Sequence, residues 1–145
     1  MERDEFLKSL GLGLALICTG GCLTGCSKKN DTATPNTPAA GTKVNVDLAT
    51  QLLTVGSSFS SNGVLIVRLA TGNATSSFVA TQVSCPHEGA TLNWVQSSNA
   101  IVCSLHSAQF TSTGAVTRQP TGGGTVGALK IYGITIAGTT LTATV

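Results

Sequence analysis

Residues 44–145 consist of short runs of apolar and β-branched residues separated by turns. Val44–Leu48 alternates with a period of two, and Gly63–Leu69 has the pattern of a buried strand. Leu92–Val95 and Ala100–Cys103 are separated by a Ser-Ser-Asn break that is typical of a hairpin. The chain has 22 threonines and 17 glycines, and only 10% of its residues are charged. An ordinary soluble domain has about 25%. The pattern predicts an all-β fold, a small sandwich or barrel.

The N-terminal segment has the properties of an export signal. Leu10–Ile17 is an apolar core of signal-peptide length. The segment ends in Leu23–Cys26, whose sequence Leu-Thr-Gly-Cys resembles the lipobox of bacterial lipoproteins. This resemblance implies that residues 1–25 are a lipoprotein signal peptide and that Cys26 carries acyl chains. The protein would then lie in the cell envelope, lipid-anchored to a bacterial membrane and facing the periplasm or the exterior. The alternative is a retained transmembrane helix, although the second half of the segment is poorly apolar.

A polar, proline-containing stretch follows the lipobox. Ser27–Lys43 has no apolar residue larger than alanine. Such a stretch cannot bury enough surface to offset the entropy of ordering. We therefore expect residues 26–43 to comprise the lipidated cysteine and a disordered tether, and residues 44–145 to form the single folded domain.

The remaining cysteines and the histidines are paired along the chain. Two cysteines lie in the predicted signal and Cys26 carries the predicted lipid, which leaves Cys85 and Cys103. The sequence has two histidines, and they occur as Cys85-Pro-His87 and, fifteen residues later, Cys103-Ser-Leu-His106. Two thiolates and two imidazoles presented from two loops form a four-ligand metal site.

Two other interpretations of these residues stay open at this point. A Cys2His2 set can hold structural zinc, although zinc sites usually pair two cysteines on one loop and two histidines on the other. A disulfide between Cys85 and Cys103 is compatible with an oxidising compartment, but it leaves both histidines without a role.

The interleaved order resembles the Rieske [2Fe–2S] family, in which two cysteines bind one iron and two histidines bind the other. Cys85–Ala90 resembles the first cluster loop of that family, and Cys103–Phe110 resembles the second. Thr113–Pro120 is similar to its glycine turn and to the proline-containing loop that covers the cluster. Leu129–Leu141 is similar to its closing hairpin. The resemblance covers about residues 44–145.

The resemblance implies a Rieske-like β sandwich or barrel with a cluster-binding subdomain formed by two loops. Its cofactor would be a [2Fe–2S] cluster, and the implied ligands are Cys85, His87, Cys103 and His106. The implied function is one-electron transfer in a membrane-anchored, exported protein, as a carrier or as the Rieske subunit of a larger respiratory or other oxidoreductase. Its partners would be redox proteins.

The chain departs from the quinol-oxidising members of the family at four positions. Ala90 and Leu105 stand where those proteins have a disulfide between the two loops. Ala108 and Phe110 stand where they have a serine and a tyrosine that donate hydrogen bonds towards the cluster. Fewer donors stabilise the reduced cluster less, so we expect a lower reduction potential. Ser107 also occupies a position where glycine is common.

Other functional classes lack support in the sequence. A net charge of +2 without a basic cluster excludes nucleic acid as the expected partner. Gly122–Gly124 has neither the lysine nor the following helix of a phosphate-binding loop, so it is interpreted as a plain loop. With both histidines committed to a cluster, the isolated chain is more an electron carrier than an enzyme. The alternative function is a zinc- or disulfide-stapled β-domain that binds a partner or has a structural role in the envelope.

Overall fold

The computed structural model describes residues 36–145, and this part of the chain is built almost entirely from short β-strands. They are β1 (Lys43–Asp47), β2 (Ser58–Ser61), β3 (Val64–Arg68), β4 (Phe78–Gln82), β5 (Leu92–Val95), β6 (Ala100–Cys103), β7 (Gln109–Phe110), β8 (Val116–Arg118), β9 (Gly133–Ala137) and β10 (Thr140–Thr144). Two 3-10 turns, Thr75–Ser77 and Gln96–Ser98, are the only helical pieces among the described residues. No helix in this part of the chain has the length and apolarity needed to cross a membrane.

The strands form three antiparallel sheets. One has the order β1-β10-β9, the second β2-β3-β4, and the third β5-β6-β7-β8. In the first sheet the N-terminal strand pairs with the C-terminal strand, with Lys43 opposite Thr144 and Asp47 opposite Thr140. The third sheet begins with the predicted hairpin, in which Leu92 lies opposite Cys103 and Asn99 turns the chain with a left-handed φ of 49°. The all-β prediction is confirmed.

In the second sheet, which we call the middle sheet, β3 and β4 are buried on both faces because their side chains alternate between two hydrophobic cores. On β3, Leu65 and Val67 face one core, while Val64 and Ile66 face the other. Successive side chains of a strand point to opposite faces, so a strand with an apolar residue at every position must lie between two layers. The first core continues under the loops that carry Cys85 and Cys103, and the second lies against the sheet of β1, β10 and β9.

Arg68 forms hydrogen bonds with two loops at one end of this middle sheet. Arg68 is only 6% exposed. Its guanidinium donates hydrogen bonds to the carbonyl oxygens of Leu52 and Gly72 and to Oδ1 of Asn73, the last two at 2.7 and 2.8 Å. It also lies over the Phe78 ring, 4.6 Å from its centroid. Five donors in a planar fork let one side chain bind acceptors from two separate loops.

The described chain begins in contact with the folded domain. The backbone N–H of Gly41 donates to the carbonyl oxygen of Val145 at 2.8 Å. A side chain at Gly63, in the turn between β2 and β3, would meet the carbonyl oxygen of Asn36 and the ring of Pro38. The predicted signal peptide, the predicted lipidated Cys26 and the predicted tether up to residue 35 lie outside the described residues.

Candidate metal centre

The first candidate loop connects β4 to β5 and is closed by its own backbone. The N–H of Cys85 donates to the carbonyl oxygen of Ala90 at 2.7 Å, and the N–H of Gly89 donates to the carbonyl oxygen of Cys85 at 2.9 Å. Gly89 has a φ of 72°, which glycine adopts without steric cost. Ser84 and Thr91 bridge the base of the loop.

The second candidate loop, between β6 and β7, repeats this geometry. The N–H of Cys103 donates to the carbonyl oxygen of Ala108 at 2.9 Å, and the N–H of Ser107 donates to that of Cys103 at 3.2 Å. Ser107 takes the place of Gly89 with a φ of 56°. The left-handed conformation costs a non-glycine residue about 1–2 kcal/mol. The turn of the second loop therefore keeps its left-handed conformation although Ser107 replaces glycine.

The two loops lie side by side and bring their histidines together. The N–H of Ser104 donates to the carbonyl oxygen of Thr91 at 3.0 Å, which joins the second loop to the end of the first. His87 Nδ1 lies 3.2 Å from His106 Nδ1, and the ring planes are inclined at 72°. Two imidazole nitrogens bound to one tetrahedral metal at about 2.0–2.1 Å lie about 3.4 Å apart. The 3.2 Å separation of the two Nδ1 atoms is close to this value and is also a hydrogen-bond distance.

The two cysteines of these loops are buried in the first core. Cys85 and Cys103 are each 2% exposed, and both thiols are free. Burial, together with the neighbouring Cys103 thiol, raises the pKa of the Cys85 thiol to about 11, although backbone N–H groups of His87 and Glu88 act in the opposite direction. A metal removes this penalty because it replaces the thiol proton. Two buried thiols and two paired imidazole nitrogens on the same two loops are a donor set that fits a [2Fe–2S] cluster with mixed ligands.

Four departures noted in the sequence fall around this donor set. Ala108 and Phe110 are fully buried and belong to the same core as both cysteines. Neither side chain can donate a hydrogen bond. Ala90 is partly buried, and Leu105 is 57% exposed between Cys103 and His106. The side chains of these four residues are therefore all apolar and donate no hydrogen bond to the site.

A segment that follows β8 lies against both histidines. Thr121 donates two hydrogen bonds to the carbonyl oxygen of His106, from its N–H at 2.8 Å and from Oγ1 at 3.0 Å. A Cβ atom added at Gly124 would lie 2.5 Å from His87 Nε2. Sequence reasoning missed this role of the glycines, because it interpreted Gly122–Gly124 as a plain loop. Three consecutive glycines after a buried proline are the available signal for a close backbone approach.

Comparison with known proteins identifies the family. Residues 41–132 match the protein-family model described as the Rieske [2Fe-2S] domain, which is more than half of the chain. The chain belongs to the Rieske family. A Rieske domain binds a [2Fe–2S] cluster with two cysteine and two histidine ligands and transfers electrons through it. The predictions of the family, the cofactor and electron transfer are confirmed.

Two solved structures share the Rieske fold of this chain. The cyanobacterial plasma membrane Rieske protein PetC3 from Synechocystis PCC 6803 is 24% identical with a TM-score of 0.53, and the match covers 70% of this chain and 99% of that one. The ferredoxin of carbazole 1,9a-dioxygenase from Nocardioides aromaticivorans IC177 is 22% identical with a TM-score of 0.50, and the match covers 73% and 98%. No curated protein matches the sequence.

Proposed function

We propose that this chain is a one-electron carrier whose cluster is held by Cys85 and Cys103 on one iron and by His87 and His106 on the other. The observation that carries the proposal is the pairing of the two histidine Nδ1 atoms at 3.2 Å on the two loops whose cysteines are buried. The segment that matches the family contains two cysteines and two histidines, so these four are the available ligands.

The protein's own residues hold and shield the cluster. The cluster supplies a one-electron couple when it is bound. The two Cys-closed loops orient the ligands through matching backbone hydrogen bonds. Ala108 and Phe110 exclude water from the core that contains both cysteines, since both side chains are fully buried there. His106, whose side chain is 28% exposed, leaves one edge of the site accessible to a redox partner.

We expect the reduction potential to lie in the lower half of the Rieske range of about −150 to +300 mV. Reduction adds negative charge to the cluster, and hydrogen-bond donors stabilise that charge. Ala108 and Phe110 provide no donor at the two positions where the quinol-oxidising members have one. A redox titration of the purified full chain measures the potential, and a midpoint near the top of the range would contradict this expectation.

We further propose that Cys26 carries a lipid that anchors the protein to a bacterial membrane, with the domain in the periplasm or outside the cell. The support is the Leu-Thr-Gly-Cys sequence after an apolar core and the proline-containing stretch that follows. The partners would be redox proteins near that membrane, and the chain would act as a carrier or as a subunit of a larger oxidoreductase. One fold relative is described as a plasma membrane Rieske protein, and another as a ferredoxin.

Two substitutions in the full chain separate the anchor from the cluster. Cys26→Ser is expected to abolish the incorporation of labelled fatty acid into the protein, with two irons per chain retained. Cys85→Ser is expected to lose the cluster and to keep the lipid. Fatty-acid labelling, iron analysis and acid-labile sulfide analysis measure both effects. Ser104→Ala is the matched control, because Ser104 is exposed in the second loop and its N–H keeps its backbone bond.

The lipid anchor and the ligand assignment can be refuted separately. Incorporation of fatty acid that survives Cys26→Ser would contradict the lipid anchor. A cluster of unchanged content and spectrum in Cys85→Ser would contradict the ligand assignment.

A further inference from the structure

Glu88 carries the one carboxylate in the two candidate loops. The loop sequences are Cys-Pro-His-Glu-Gly-Ala and Cys-Ser-Leu-His-Ser-Ala. Residues 36–145 contain one other acidic side chain, Asp47, which lies in β1 at the sheet of the other core. Among the described residues, Glu88 is therefore the one negatively charged side chain close to the site, and the positively charged Lys130 lines the same pocket as Cys85 and His87.

The carboxylate lies beside the proposed histidine ligands. Glu88 Oε2 is 3.8 Å from His106 Nδ1, the same nitrogen that faces His87 Nδ1. One ligand atom from each of His87, Glu88 and His106 can be chosen so that all three lie within 4.8 Å of one another. The Glu88 side chain is 55% exposed, and among the described residues no lysine or arginine forms an ion pair with it. In this part of the chain, no ion pair with a lysine or arginine therefore neutralises the Glu88 charge beside the histidine pair.

We propose that Glu88 lowers the reduction potential of the cluster through the negative charge that it holds beside the histidine-bound iron. The inference rests on the proposed ligand assignment. Reduction adds one electron, so a nearby negative charge raises the energy of the reduced form relative to the oxidised form. Water at the exposed side of Glu88 screens part of the interaction, and salt screens more of it. The effect adds to that of the missing donors at Ala108 and Phe110.

The test is a redox titration of the full-length, cluster-loaded protein and its variants. Glu88→Gln keeps the size of the side chain and removes its charge. At a fixed solution potential, we expect Glu88→Gln to raise the ratio of reduced to oxidised cluster about threefold to tenfold. At 59 mV per tenfold, this change is an increase of about 30–60 mV in the midpoint potential. Glu88→Lys should raise the ratio further. The difference between wild type and Glu88→Gln should shrink in high salt.

Asp47→Asn is the matched control. It removes the same charge, and the amide oxygen can still accept the hydrogen bond from the Ala49 N–H that Asp47 Oδ1 accepts at 2.9 Å. We expect its midpoint to match that of the wild type.

Equal midpoints for wild type, Glu88→Gln and Glu88→Lys would overturn the proposal. Loss of the cluster in Glu88→Gln but not in Glu88→Asp would also overturn it, because the carboxylate would then act as a ligand or a brace. A wild-type protein without a [2Fe–2S] signal would instead refute the proposed function itself, so the two failures are distinguishable.

Discussion

Replacing Gly124 with alanine is expected to displace the His87 ring and to lower the iron content of the purified protein. The added Cβ would lie 2.5 Å from His87 Nε2 and 3.2 Å from Cδ2, closer than non-bonded carbon atoms approach. Either the ring or the glycine segment must move. A ring that moves takes its Nδ1 out of the pairing with His106, and a misplaced ligand weakens metal binding. Iron analysis and the EPR spectrum of the reduced protein measure the effect.

Gly123→Ala provides a control with the same type of backbone strain. Gly123 has a φ of +104°, Gly124 has a φ of +81°, and both values disfavour an L side chain. A Cβ at Gly123 has no neighbour within 4 Å. We therefore expect Gly123→Ala to keep the wild-type iron content and spectrum. Identical spectra for the two variants would show that the glycine segment does not position His87.

Replacing Arg68 with methionine is expected to lower the free energy of unfolding by about 2–4 kcal/mol. The substitution keeps an apolar chain of similar length but removes every donor. The carbonyl oxygens of Leu52 and Gly72 and the amide oxygen of Asn73 would lose their charged partner. Stacking on Phe78 would weaken as well. Urea denaturation followed by circular dichroism measures the loss.

Arg118→Met is the comparison for this prediction. Arg118 is an exposed arginine on the short strand β8, and surface substitutions usually change stability by about 0.5 kcal/mol or less. Arg68→Lys should be intermediate, since one ammonium cannot reach three acceptors in fixed directions. Equal midpoints for the Arg68→Met and Arg118→Met variants would show that the arginine network does not stabilise the fold.

The sequence predicted those parts of the protein that depend on local pattern. Alternation and turn residues predict the β5–β6 hairpin, and the Cys-x-His and Cys-x-x-His order indicates the family. The pattern of β3 predicts less, because its run of apolar residues indicates burial on both faces but does not indicate which core each face contacts. The two cores become visible only once Leu65 and Ile66 are assigned to opposite layers.

The contacts around the site depend on tertiary placement, which pattern does not encode. Glu88 reaches His106, and Gly124 reaches His87, only because two loops and a distant glycine segment fold onto one end of the domain. Arg68 is another example, since a charged residue at the end of a strand is usually exposed. Its burial follows from acceptors on two loops that close around it.

Pulsed EPR of the reduced, full-length wild-type protein detects whether the cluster has nitrogen ligands. A [2Fe–2S] cluster bound by His87 and His106 places two ligand nitrogens next to the unpaired spin, and their nuclei couple to it. We expect a [2Fe–2S] signal with two resolved nitrogen couplings. A protein that contains no iron, or a cluster signal without nitrogen coupling, would contradict this expectation.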